Sequence, residues 1–242
     1  MPKLPRPAPT RALRAAALPA LALLAASAAA PARAQLVLDG TLRLELAHNE
    51  DTSINTKRFR GSFDGLVWND IGVQLDLGVG KHEHHESTQP SATLHGYYRV
   101  DETLSYGLFL AAEDRRPGNS YFYGAEVAYQ GEALGIEAFA AYRDDIAEST
   151  DGGRYGLDVT YALPAAPRWT LLAGAVTDNG APVDQGFGYL GATYEVRDGI
   201  DIGMTAGSTE DGAAIASVLA TFTFGRGATF RARDTMELYP GY

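Results

Sequence analysis

A run of metal-type ligands, KHEHHE at positions 81–86, is the densest cluster of chemistry-bearing side chains in the chain. Imidazole and carboxylate groups ligate zinc and other borderline divalent cations. His82, His84 and His85 lie close together in sequence, but a polar stretch of this kind supplies no fixed ligand geometry. We therefore interpret positions 81–90 as a solvated loop and predict no metal site.

His95 and Ser105 form a second candidate pair, of the type that a hydrolase uses as base and nucleophile. Nucleophilic catalysis also needs a third group that orients the base. The spacing places no such group beside this pair, so we interpret the pairing as a coincidence. We predict that the protein is not an enzyme and that it needs no cofactor.

Ionisable side chains also recur at alternate positions of apolar segments, where they share one face with small and polar residues. Which side of a structure that face lines decides what the charges can do. The members of this third set are Arg43, Arg58, Arg60, Arg99, Glu126, Glu137 and Asp158.

The segment from Tyr121 to Arg143 shows which elements position these charges. Apolar residues occupy every second position up to Tyr129 and again from Leu134, and Gly131-Glu132 separates the two runs. This period of two predicts a β-hairpin with one apolar and one polar face. A soluble sandwich would bury the apolar face, whereas a transmembrane barrel turns it to lipid. The rest of the chain decides between these two architectures.

The first 34 residues have the composition of an export signal. Four basic residues precede an apolar run of Ala and Leu, and Ala32-Arg33-Ala34 fits a cleavage site. These features predict a secretory signal peptide over 1–34 rather than a membrane anchor, because the apolar run is short and rich in Ala. All acidic residues follow it, so the mature chain is even more acidic than the net charge of −10 of the whole sequence. We expect no nucleic-acid partner.

Segments of alternating hydrophobicity recur through residues 36–224, and turn signals separate them. Connections of two to four residues alternate with mostly longer polar ones, and aromatic residues gather near strand ends. Both features are typical of membrane barrels, and a soluble β-protein has no reason to alternate its loop lengths. The sequence predicts an all-β fold, an up-and-down antiparallel transmembrane β-barrel of about 12 strands.

With its signal peptide, its alternating strands and its aromatic-ended segment ATFTF at 220–224, the chain resembles Gram-negative outer-membrane β-barrels of the porin type. The resemblance implies a barrel over 35–224 in the cell outer membrane, in contact with outer-membrane lipid. It also implies that the barrel-assembly machinery reads a terminal aromatic such as Phe224. Residues 225–242 depart from the pattern, and their charges and Pro240 disfavour a lipid-facing strand. We expect them to form a C-terminal periplasmic tail.

In such a barrel the third set of charges lines a pore. Arg43, Arg58 and Arg60 would form a basic wall opposite an acidic wall of Glu126, Glu137 and Asp158, and this arrangement would orient dipolar solutes. The alternative is local pairing between neighbours, with Arg43 beside Glu45 or Asp64. The porin resemblance implies passive diffusion of small hydrophilic solutes or ions. A non-conducting barrel that serves as an anchor or adhesion protein, and less so an outer-membrane hydrolase, are the alternatives.

Overall fold

Twelve β-strands make up the fold in a computed structural model that describes residues 38–83, 88–115, 118–145, 151–179 and 185–235. The predicted signal peptide, the residues His84 and His85, and positions 236–242 lie outside the described residues. The strands are β1 (Asp39–Asn49), β2 (Ile54–Trp68), β3 (Ile71–His82), β4 (Gln89–Arg99), β5 (Leu104–Arg115), β6 (Gly118–Gln130), β7 (Leu134–Asp145), β8 (Gly152–Ala162), β9 (Trp169–Asn179), β10 (Gln185–Arg197), β11 (Ile200–Thr209) and β12 (Ala214–Phe224).

Each strand pairs antiparallel with its neighbours in sequence, and β1 pairs with β12 to close a barrel. The closing ladder runs from Gly40 opposite Phe224 to Asn49 opposite Ile215. This confirms the predicted up-and-down antiparallel barrel. Closure matters physically because a barrel leaves no strand edge with unpaired backbone groups, which lipid cannot satisfy.

The outer face of the wall is apolar and exposed, as the period-two pattern predicts. Leu108 and Leu190 expose 68% and 70% of their surface. Outward aromatic residues pair near the strand ends, with Tyr98 beside Tyr106 at one end and Tyr123 beside Tyr142 at the other. A continuous apolar outer face with aromatic residues near both ends is stable in contact with lipid, so we describe the barrel as membrane-embedded. The described residues include no helix long and apolar enough to cross a membrane.

The connections between strands at the two rims of the barrel differ less in length than the sequence predicts. We call the rim with the start of β1 and the end of β12 the proximal rim; its connections are 69–70, 100–103, 131–133, 163–168 and 198–199. At the opposite, distal rim the strands continue into the predicted loops, so that only 116–117 separate β5 from β6. Strand β10 has a register shift against β11 between Glu195 and Arg197. A second shift, between Leu66 and Trp68, has no signal in the sequence.

Residues 225–235 correct the expectation of a tail outside the barrel. Gly225 and Gly227 have φ angles of +61° and +80°, and a side chain at Gly225 would meet Asp39 Oδ1 at 2.0 Å. This turn at the proximal rim sends the chain back into the lumen, where Phe230, Ala232 and Arg233 are buried. The charges that disfavour a lipid-facing strand suit an enclosed segment equally well. We call residues 229–235 the tail segment.

Candidate functional site

The candidate site is the charged interior of the barrel, and all seven predicted pore-lining residues lie on its inner face. Arg43 and Arg58 both donate to the carboxylate of Glu45, at 2.8 and 2.5 Å. The strand register places the three together, because Glu45 lies directly across the β1–β2 ladder from Arg58. The basic side of the lumen is therefore locally paired through Glu45, as in the alternative considered above, and is not a row of cations facing open space.

The predicted acidic side is also present, but it faces the tail segment rather than a basic wall. Arg233 donates to Glu126 Oε2 at 2.7 Å and to Glu137 Oε1 at 2.5 Å. Arg231 donates from its side chain to Asp158 and from its backbone N–H to Glu137 at 2.9 Å. The three carboxylates are thus brought together by guanidinium groups from the end of the same chain.

The remaining two predicted residues also contact the tail segment. Arg60 forms an ion pair with Asp234 at 3.1 Å. Arg99, at the proximal end of β4, donates to Thr229 Oγ1 at 3.2 Å and stands 5.7 Å from the Tyr97 ring centre. Five of the seven predicted residues, Arg60, Arg99, Glu126, Glu137 and Asp158, therefore hold the tail in place.

His95 sits at the centre of the lumen between two carboxylates. Its Nε2 lies 2.8 Å from Asp76 Oδ2 and its Nδ1 lies 2.7 Å from Glu126 Oε1. Both ring nitrogens therefore lie within hydrogen-bond distance of a carboxylate oxygen, and the ring bridges the two acids. The ring also stacks on Phe230 of the tail segment, with 5.7 Å between the ring centres.

The possible catalytic pair does not form. Ser105 lies opposite Arg99 in the β4–β5 ladder, whereas His95 lies opposite Phe109. His95 is also not alone on the inner face, because His82 is buried there beside Thr56 Oγ1 at 2.8 Å. The described residues contain no group of three or more ligands that could hold a metal ion.

Aromatic rings and a second ion-pair cluster fill the distal half of the lumen. Arg154 donates to both oxygens of Asp178 and stands 4.1 Å from the Phe122 ring centre. The Arg233 guanidinium stands 4.3 Å from the ring centre of Phe139. Cations above aromatic faces in a desolvated site are attracted by the ring quadrupole. The inward Phe residues thus narrow the lumen and support its arginines.

A cavity of about 200 Å³ remains beside the tail segment in the proximal half of the lumen. Its lining combines charged groups of the wall and of the tail, among them Arg43, Glu137, Asp158 and Arg231, with Tyr189. The charged groups of this lining can bind water or small polar solutes, whereas residues such as Leu172 and Phe187 make another part of it apolar.

No protein-family model and no curated protein matches the chain. Among solved structures, a NanC porin matches with a TM-score of 0.62 at 10% identity, and the match covers 76% of this chain and 99% of that one. A KdgM porin matches with a TM-score of 0.59 at the same identity and coverage. This chain folds as a porin-type barrel. A second KdgM structure, in complex with disordered oligogalacturonate, matches with a TM-score of 0.57.

The sequence misses the part of this porin-type site that the tail provides. The predicted pore lining does not include Arg231, Arg233 and Asp234, because the predicted barrel strands end at Phe224. The usable signal is the alternation of Thr229, Arg231, Arg233 and Thr235 with Phe230 and Ala232, which describes an extended segment with one polar face. Its two arginines complement the surplus of inward carboxylates.

Proposed function

We propose that the protein is an outer-membrane channel for the passive diffusion of small hydrophilic solutes or ions. The observation that carries the proposal is the combination of an apolar outer face with a closed interior lined by ionised side chains. A barrel that only spans a membrane can fill its interior with side chains of any kind. Charged rows along a lumen are the means by which pores attract and discriminate solutes.

The location and partners of the channel follow from the same features. The apolar wall with aromatic ends fits outer-membrane lipid, and the N-terminal signal would direct export through the inner membrane. Phe222 and Phe224 end the last strand on its outer side, where the barrel-assembly machinery would read them. Both rim assignments, proximal as periplasmic and distal as external, belong to this proposal.

The solute class is small and hydrophilic, with a preference for cations. One KdgM porin structure of this fold is a complex with disordered oligogalacturonate. In this chain the wall carboxylates Glu126, Glu137 and Asp158 face the lumen centre, while Arg43 and Arg58 are partly neutralised by Glu45. Apart from the tail segment, whose Arg231 and Arg233 pair with these carboxylates, the wall presents negative charge to the lumen, which favours cations.

Conductance across planar lipid bilayers tests the proposal. The refolded full-length protein should produce discrete current steps, because a lumen of this kind conducts ions whenever it is open. A heat-denatured sample in the same detergent is the control. A folded barrel that conducts neither with nor without residues 227–242 would refute the channel.

A non-conducting barrel is the second candidate, and one observation favours it. The tail segment lies in the lumen and is bonded to the wall at several strands. An anchor or adhesion protein would keep its lumen filled permanently. Conductance of the full-length protein distinguishes the candidates, since only a channel conducts while it carries its tail.

A further inference from the structure

The tail segment crosses the interior of the barrel from the proximal rim toward the distal rim. The backbone N–H of Thr229 donates to Asp64 near the rim, at 2.8 Å. Six residues further on, the backbone N–H of Thr235 donates to Glu113 at 2.7 Å near the distal end of β5. Between these points the segment contacts the wall on many sides, at Arg60, Gln74, Glu126, Glu137 and Asp158.

The contacts are specific rather than a loose filling. Gln74 bonds Phe230 twice, accepting from its N–H at 2.9 Å and donating to its carbonyl oxygen at 2.6 Å. Arg233 is fully buried and is held by Glu126 and Glu137. Burial of a guanidinium is tolerated only with such partners. The inner wall therefore binds this segment through specific hydrogen bonds and ion pairs.

The wall does not need the tail segment in order to close. The β1–β12 ladder is complete from Gly40 opposite Phe224 to Asn49 opposite Ile215 before the tail begins. The described contacts between the tail segment and the wall are hydrogen bonds, ion pairs and ring contacts, and none of them is covalent. The two glycines with positive φ before the segment provide a turn about which it can move.

We propose that residues 229–235 form a plug that keeps the channel closed, and that the channel opens when this segment leaves the lumen. The proposal rests on the channel function proposed above. Departure removes Arg231 and Arg233 and leaves Glu126, Glu137 and Asp158 facing water. The opened path is then lined by carboxylates and prefers cations.

Deletion of residues 227–242 tests the plug directly. The time-averaged conductance of the deletion variant should exceed that of the full-length protein at least about tenfold. The deletion removes the four described ion pairs that hold the tail segment to the wall, and this lowers the population of the closed state by more than about one order of magnitude. Heat-modifiable mobility in electrophoresis verifies that the barrel has folded. A reversal potential measured across a salt gradient should show cation preference, and Glu137→Gln with Asp158→Asn should reduce it.

A peptide supplied in trans provides the matched experiment. A synthetic peptide with the sequence of residues 227–242, added on the proximal side, should block the deletion variant. The same peptide with glutamine in place of Arg231 and Arg233 should not block it at the same concentration. Block by both peptides would show non-specific obstruction and would overturn the plug.

Full-length substitutions decide the question if the deletion variant does not fold. Arg231→Gln with Arg233→Gln should raise the open probability, whereas Arg226→Gln should not, since the Arg226 side chain is 61% exposed in its pair with Asp39 at the rim. Equal conductance of full-length, deletion and substituted proteins, all conducting, overturns the plug and leaves the channel standing. Absence of conductance in every folded form overturns both.

Discussion

His95 lies in the lumen and contacts two buried carboxylates. Its two ring nitrogens each meet a carboxylate, and its side chain is fully buried. Without the His95 ring between them, the carboxylates of Asp76 and Glu126 would face each other in a site that bulk water hardly reaches. Removal of one partner from a buried ionic group leaves uncompensated charge, which is strongly destabilising.

We therefore expect His95→Leu to lower the free energy of unfolding of the refolded barrel by about 3–5 kcal/mol. His48→Leu is the matched control, because His48 is exposed and bonds only Asn55 at 2.9 Å; its cost should stay below about 1 kcal/mol. Denaturant titration in lipid vesicles, followed by the fluorescence of the two tryptophans, measures both. Equal costs at both positions would show that His95 is not an ionic centre.

The sequence predicts which side chains face inward, but it does not predict which side chains they contact. Alternation suffices to place Arg43, Glu126 and Asp158 on the inner face, since a strand turns every second side chain to the same side. The choice between opposed walls and local pairs depends on register, and register follows from the whole closed sheet. The sequence leaves the pairing of Arg43 with Glu45 open as an alternative, whereas the pairing of Arg58 with Glu45 and of His95 with Asp76 could not be read from the chain alone.

At the scale of the strand, opposite faces of one element should respond differently to the same charge. Leu157 on β8 is 47% exposed on the outer face, whereas Thr160 on the same strand lines the lumenal cavity beside Glu137 and Asp158. We expect Leu157→Arg to destabilise the barrel by about 2–4 kcal/mol in lipid if it lies near the midplane.

Thr160→Arg should cost less than about 1 kcal/mol, because its guanidinium can reach water and two carboxylates. The same denaturant titration compares the two variants. A smaller loss for Leu157→Arg than for Thr160→Arg would mean that the faces of β8 are assigned the wrong way round.

Strand existence follows well from the sequence, and strand ends follow poorly. The apolar period of two identifies all twelve strands because only the lipid-facing side must be apolar. Near the distal rim that constraint ends while the ladder continues, so β3 extends to His82, into the predicted loop 81–90. Hydrogen bonding between neighbours, which single-strand patterns do not reveal, sets these ends.

At the scale of the whole molecule, the barrel and the end of its own chain complement each other in charge. The full sequence carries a net charge of −10, and several of its buried carboxylates face the lumen centre. The tail segment brings Arg231 and Arg233 to these carboxylates and Asp234 to Arg60. The sequence predicts a periplasmic tail for residues 225–242, because the polar pattern of a segment enclosed by the barrel differs from the pattern of a lipid-facing strand.

The central claim is that the tail segment resides inside the closed barrel, and thiol protection at Ala232 tests it most directly. The chain has no cysteine, so Ala232→Cys introduces a single thiol at a position that is 1% exposed. Ala165→Cys, at an exposed position of the proximal rim, is the matched control.

In the folded full-length protein, a bulky hydrophilic maleimide should label the thiol at position 232 about a hundredfold or more slowly than the thiol at position 165, because access requires a local opening that breaks the buried ion pairs of the tail segment. Both should react at similar rates after unfolding. Equal labelling rates in the folded barrel would place the tail segment outside the lumen and contradict the account.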